Sequence, residues 1–215
     1  MTALVPSCRF CGEPLTQTFA DLGSMPLANS YLESLADAER EQSYPLHARV
    51  CGTCRLVQVE NAVPPDAIFS DYAYFSSYAA SWVDHARAYT EMARQRFSMT
   101  PQCQVIEVAS NDGYLLKHFV AADIPVLGIE PAANVAQAAE VAGVTTLVAF
   151  FDRELAEQLR HQGKAADLLI GNNVLAHVPD LNDFVAGLAV LLKDDGVLTM
   201  EFPHLLRLIE AVQFD

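Results

Sequence analysis

Val105-Ile106-Glu107-Val108-Ala109-Ser110-Asn111-Asp112-Gly113 is the stretch that decides the fold. Its first four residues read as a short buried strand, and Ala109 to Gly113 as a turn of small residues. Leu115, Leu116, Phe119 and Val120 then fall on one side of a helix. A strand that runs through such a turn into a helix presents backbone amides at the carboxyl edge of a parallel sheet, where nucleotide-like ligands bind. The dinucleotide fingerprint G-x-G-x-x-G is not met by Ala-Ser-Asn-Asp-Gly, which lacks the glycines that let the chain approach a pyrophosphate.

Working outward, strand and helix signals alternate. Pro125 to Ile129 reads as a second strand, with Pro131 as the first residue of the next helix. Thr145 to Val148 is a third strand, and Asp152 caps a helix carrying Leu155 and Leu159. Leu168 to Ile170 is a fourth; Asp180 caps a helix that turns Phe184, Val185, Leu188 and Leu192 inward. Asp194-Asp195-Gly196 reads as a turn before a fifth strand, Val197 to Phe202. The pattern predicts an α/β domain over residues 101–215, a Rossmann-like parallel sheet of about five strands covered on both faces. Residues 66–100 read as an aromatic lid segment followed by a helix. That helix begins at Ser81, with Asp84 completing a capping box, and carries Trp82, Ala86, Tyr89 and Ala93 on one face.

Composition changes near Pro64-Pro65, and residues 1–65 hold two cysteine pairs, Cys8-Arg-Phe-Cys11-Gly12 and Cys51-Gly52-Thr-Cys54. Two close thiolate pairs suit tetrahedral zinc, and Gly12 and Gly52 fit the tight turns around such an ion. Four cysteine ligands leave no open position, so the metal is structural. Cys103 is the odd thiol and reads as a small buried residue.

A net charge of −14 supplies no basic face for nucleic acid. A hydrophobic fraction of 52% is enough for a folded core, and the longest apolar run, near Val185 to Leu192, is far short of a bilayer span of roughly 20 residues. The opening residues show no secretory signal, and unpaired cysteines suit a reducing compartment, so the expected location is the cytoplasm.

The remaining candidates lie at the ends of strands. Glu130, about 20 residues after the first turn, suits hydrogen bonds to both hydroxyls of a ribose. Asn172 and Asn173 follow the fourth strand and meet the ligand or a second substrate. His177, with an ordinary pKa near 6.5, is placed to orient a hydroxyl or assist proton transfer. Glu107, Ala109, Asn111 and Gly113 fit the frame E-x-G-x-G-x-G used for S-adenosylmethionine, with only the last glycine retained. That ligand has no phosphates, so a missing pyrophosphate cradle favours it.

Together these residues resemble the nucleotide-sugar C-methyltransferases of deoxysugar and antibiotic biosynthesis. The resemblance runs from Cys8 to Asp215 through the paired cysteines, Asp71 to Tyr78, Glu107 to Gly113, Gly128-Ile-Glu-Pro131, Asn172 to His177 and Glu201-Phe-Pro-His204. It implies a class I methyltransferase sheet behind a zinc module, binding S-adenosylmethionine and Zn2+. The reaction implied is methylation at C3 of a thymidine-diphosphate 4-keto-2,6-dideoxy sugar. Glu107, Ala109, Ser110, Asn111, Gly113, Glu130, Pro131, Asn172 and Asn173 would hold the cofactor. Tyr74, His177 and His204 would lie beside the sugar, and Tyr72, Tyr74 and Tyr78 otherwise serve as lid packing. Family members carry two more strands and a further Tyr-His-Glu-His segment, which the resemblance implies supplies the base. Five readable strands therefore imply a truncated or split product, with a separately encoded C-terminal half as a partner. Two rivals remain: a binding-only relative without turnover, and a nicotinamide oxidoreductase with a zinc module.

Overall fold

The computed structural model describes residues 5–60, 63–70 and 72–213. Asp71, which opens the aromatic stretch, and Phe214-Asp215 lie outside the described residues. The chain divides into two compact units, the first running to Ala67 and including Pro179–Asn182, the second made of Ile68–Val178 with Asp183 onward.

The first unit is built on an antiparallel sheet of β1 (Gln17–Met25), β2 (Tyr44–Val50) and β3 (Val57–Gln58), in that order, with the short helix α1 (Leu35–Ala38) between the first two. Gln17 pairs with Val50 and Met25 with Tyr44, with two register shifts between them. The strands bury little. The buried centre is Cys8, Leu15 and Cys51, with Cys54 and Leu56 packed against it. A core this small does not offset the entropy of ordering the module, so the cysteines must contribute through something other than packing.

The helix α2 (Pro65–Phe69) and a 3-10 turn at Ser76–Tyr78 precede α3 (Ala80–Arg96). The sheet of the second unit is made of β4 (Val105–Val108), β5 (Val126–Glu130), β6 (Thr146–Val148), β7 (Ala166–Asn172) and β8 (Leu192–Glu201). All pairings are parallel and the order is β6-β5-β4-β7-β8. Its helices are α4 (Leu116–Val120), α5 (Ala133–Val141), α6 (Arg153–His161) and α7 (Leu181–Leu191), with α8 (Leu205–Glu210) following the last strand. Alternation along β4 sorts the core. Val105 packs with Ala86 and Ala93 of α3, Phe119 of α4 and Ala139 of α5, while Ile106 and Val108 pack with Ala156 and Leu159 of α6 and Phe184 and Leu188 of α7. Among the described residues, no helix is long and apolar enough to cross a membrane.

Asp152 caps α6 as expected, accepting from the Leu155 amide at 2.7 Å. Several local expectations are corrected. The capping box at Ser81 does not form: α3 starts one residue earlier behind Ala79, and Asp84 pairs with Arg87 at 3.3 Å. Pro131 does not open its helix, because the Ala132 amide is held by Glu130 at 2.9 Å and Ala132 stays extended as the N-cap. Asp194-Asp195-Gly196 lies within β8, in an excursion where Ala166 faces Leu192 and Leu168 faces Val197. A Cβ at Gly196 would lie 2.7 Å from the Ala166 carbonyl, which is why the excursion needs glycine. Leu192 opens β8 instead of closing α7, and Val185 is exposed.

Candidate functional site

The chain leaves β4 to one side through β5 and β6, then returns to the other through β7 and β8. The carboxyl end of β4, where the order reverses, is therefore the ligand crevice of this sheet. Beyond it, Ala109, Asn111 and Gly113 take left-handed φ values of 57°, 50° and 73°. These are the alternate positions of the E-x-G-x-G-x-G frame. Glycine is at home in that region, asparagine tolerates it, and alanine is strained there. Gly128, beside the turn on β5, has no room for a Cβ because the Ser110 hydroxyl occupies it.

Four of the five amides of residues 109–113 are engaged, contrary to the sequence reading of a turn that presents them. The Ala109 and Ser110 amides donate to the Ile129 carbonyl at 2.8 and 3.2 Å, the Asn111 amide to Glu130 at 2.9 Å, and the Gly113 amide to the Ser110 carbonyl. It offers acceptors instead. Glu107 is fully buried, and burial, with the charges of Glu130 and Asp112, pushes its carboxyl pKa well up. Both of its oxygens lack a hydrogen-bond partner, as do the Ser110 hydroxyl and one Asp112 oxygen. Buried polar atoms without partners are rare, and four of them within six residues mark a place made for a donor-rich ligand. Glu130 is also pushed up by burial, against the pull of the Ala132 and Asn111 amides. Each of its oxygens accepts one of those amides and keeps a second lone pair.

Residues 72–78 lie along this turn as a strap without regular pairing. Asn111 accepts from the Ser76 amide at 2.8 Å and donates to the Tyr74 carbonyl at 3.2 Å. Asp112 accepts from the amide and the hydroxyl of Ser77. Asn134 of α5 accepts from the Tyr72 amide and donates to the Tyr72 carbonyl. The His177 ring sits edge-on against Phe69 at 5.7 Å, Phe69 meets Tyr72 at 5.5 Å, and Tyr72 meets Tyr74 at 6.3 Å. Tyr74 and His177 are thus parts of one aromatic cluster, and burial lowers the His177 pKa.

In the first unit the four Sγ atoms of Cys8, Cys11, Cys51 and Cys54 lie within 4.8 Å of one another. Cys8 and Cys54 are 3.6 Å apart and Cys11 and Cys51 3.5 Å. Zn–S bonds of 2.3 Å in a tetrahedron set sulfurs about 3.8 Å apart, so the donor set fits zinc. Burial opposes a thiolate at Cys8. The Cys11 and Phe10 amides and Gln58, whose Nε2 donates at 3.2 Å, outweigh it and bring the pKa down to about 6. The two knuckles are not equivalent. Gly12 takes a φ of 78° after Cys11, but the matching position after Cys54 is Arg55, at 68°; Gly52 is not left-handed.

Residues 8–69 match the family model described as "Putative zinc binding domain", and residues 106–198 match that of a methyltransferase domain. The second match spans the turn beyond β4 and the strands on either side of it. It is 34% identical over 211 residues to C-methyltransferase NovU of Streptomyces niveus, an alignment covering 98% of this chain and 50% of that one. The chain therefore spans about half the length of that relative. The solved PH0226 protein from Pyrococcus horikoshii OT3, 18% identical with a TM-score of 0.51, covers 65% of this chain and 62% of its own, and shows the same fold.

In the methyltransferase domain the remaining candidates divide. Asn172 ends β7 with its amide 3.5 Å from the Tyr114 hydroxyl. Asn173, at φ 53°, binds Glu201 through its backbone amide at 2.7 Å and its side chain at 3.3 Å. Pro131 is half-buried behind Glu130. His204 is exposed at the start of α8, where its carbonyl accepts the Arg207 amide. Cys103 is half-buried beside Thr100, not in the core. Sequence reasoning passed over Asp112, Asn134, His85 and Glu201. Asp112 sat inside the quoted turn and Glu201 inside the Glu-Phe-Pro-His segment, but Asn134 and His85 gave no signal beyond helical spacing.

Proposed function

We propose that the chain binds S-adenosylmethionine at the carboxyl edge of β4 and β5. It then serves methyl transfer to C3 of a thymidine-diphosphate 4-keto-2,6-dideoxy sugar. One observation carries the cofactor assignment: the crevice holds three acids, Glu107, Asp112 and Glu130, of which Glu107 is buried and unpartnered, while the amides of residues 109, 110, 111 and 113 are spent. A pyrophosphate would meet acidic groups there and find few donors. A ligand with an ammonium, a sulfonium and two ribose hydroxyls finds acceptors. That also separates this reading from a nicotinamide enzyme.

When bound, the cofactor supplies an electrophilic methyl group. Glu107 would lie toward its cationic end, and Glu130 would take the ribose hydroxyls on its second lone pairs. Ala109 to Gly113 shapes the floor. The keto sugar is acidified at the carbon beside its carbonyl, so the protein's part is to remove that proton and hold carbon and methyl in line. Tyr74 and His177 border the sugar from the strap side. The cysteine cluster has no open ligand position and holds zinc as a structural ion. Since the chain spans half of its relative, binding without turnover is the second reading.

Calorimetric titration with S-adenosylmethionine, its demethylated product and NAD tests this. Binding of the first two and none of the third is expected, and Glu130→Ala should weaken binding at least tenfold, about 1.4 kcal/mol. Absence of affinity for the sulfonium and its product by metal-loaded protein ends the assignment.

A further inference from the structure

Among the described residues, Glu107 alone of the crevice acids receives no hydrogen bond. In the sheet its partners are Gly128 of β5 and Ile170 of β7, and neither brings a side-chain donor. It is fully buried, and both of its carboxyl oxygens are left without a partner. The other two acids are supplied. Glu130 accepts the Asn111 and Ala132 amides, one on each oxygen, at 2.9 Å. Asp112 accepts the amide and the hydroxyl of Ser77.

The titratable groups that face Glu107 are acids and phenols. Glu130 on β5 and Asp112 in the turn oppose its ionisation. From α3 comes Tyr89, paired with the Thr199 hydroxyl at 2.6 Å, and beside the turn Tyr114, whose hydroxyl accepts from Asn172 at 3.5 Å. Burial first, and the Glu107 charge with it, raise both phenols, and Glu201 at the end of β8 adds to the same effect. None of these groups is cationic. An ionised carboxylate buried without a donor or a counter-charge is too costly to keep, so such a group stays protonated. Burial, with the Glu130 and Asp112 charges, accordingly pushes the Glu107 carboxyl well up. A ligand bearing a sulfonium and an ammonium reverses the balance, because a cation within about 4–6 Å favours the charged form.

We propose that Glu107 holds a proton in the free chain and releases it to solvent when the cationic cofactor binds, so that it selects ligands by positive charge; this rests on the cofactor reading above. The carboxyl O–H bond breaks, its electron pair stays on the carboxylate, and buffer takes the proton. No bond of the cofactor is made or broken. A neutral ligand that fills only the adenosine part of the site leaves the proton in place. Cofactor affinity therefore rises with pH above the ordinary Glu range, by up to about tenfold per pH unit for one proton released. It levels off once the free chain has lost the proton by itself.

The test is calorimetric titration of the 215-residue, metal-loaded chain in buffers that differ in ionisation enthalpy. It is run at about pH 6, above the ordinary Glu value of about 4.3. S-adenosylmethionine is compared with 5′-methylthioadenosine, which keeps adenine, ribose and thioether but carries neither cationic group. With the first ligand the heat should change with the buffer by the amount for close to one proton released, and with the second it should not. Raising the pH to about 7 should tighten the first several-fold more than the second. Glu107→Gln, which has no proton to release, should abolish the buffer dependence and flatten the pH response. Binding with buffer-independent heat, or proton release that survives in folded Glu107→Gln, overturns this inference and leaves the cofactor reading standing. Absence of any binding by the unsubstituted chain ends both.

Discussion

Glu107 has no room to ionise cheaply. Its carboxyl is buried beside two other acids, so the native chain retains a proton that the unfolded chain releases. Native proton uptake above the ordinary Glu range means that stability falls as pH rises through the window between that range and the raised value. We expect the thermal midpoint of the unliganded chain to decline as pH rises above the ordinary Glu range, and Glu107→Gln to flatten the decline. Equal slopes would show that Glu107 is not held protonated. Ala109 presents a different residue-scale burden, a methyl group in the left-handed region. Ala109→Gly should stabilise the chain by about 1 kcal/mol, raising the thermal midpoint by roughly 3 °C. An unchanged or lower midpoint would mean that the turn relaxes around alanine without strain.

Among elements, the two cysteine knuckles carry the first unit, because its strands bury almost nothing. Metal binding there is folding free energy. Cys51→Ser should drop zinc from about one ion per chain towards none, and open residues 5–60 to protease. Retained metal by elemental analysis would contradict the four-thiol assignment. The sheet's elements were legible in the sequence because parallel strands buried on both faces show as short apolar runs, as at Val105–Val108 and Ala166–Asn172. What stayed hidden was set by tertiary contacts. The start of α5 was decided by Glu130 holding Ala132, and the strap by asparagines on another element. The bulge at Lys193–Gly196 was decided by the close passage of Ala166. In the site, Glu107 and Glu130 were readable from strand position. That most of the turn's amides are consumed, and that Asn111 grips residues 74 and 76, depended on distances no spacing encodes.

For the molecule as a whole, the charge of −14 opposes the approach of any anion. A thymidine-diphosphate sugar is such an anion. Raising ionic strength from about 0.01 to 0.15 M shortens the screening length from about 30 to 8 Å. The association rate of the proposed nucleotide sugar should therefore rise severalfold over that range, the reverse of a nucleic-acid binder. Stopped-flow measurements at the two strengths check this; a falling rate would place a local cationic patch at the sugar's entry.

Asn111 is shared between two tasks: its amide hydrogen rests on Glu130, and its side chain clasps the chain at Tyr74 and Ser76. Whatever draws Glu130 towards a ribose therefore acts on the far end of the same residue. On the proposed reading, a sugar settling the tyrosines and an adenosine bound at Glu130 would change each other's affinity by the same factor. Each of the two guests would then act as an effector of the other.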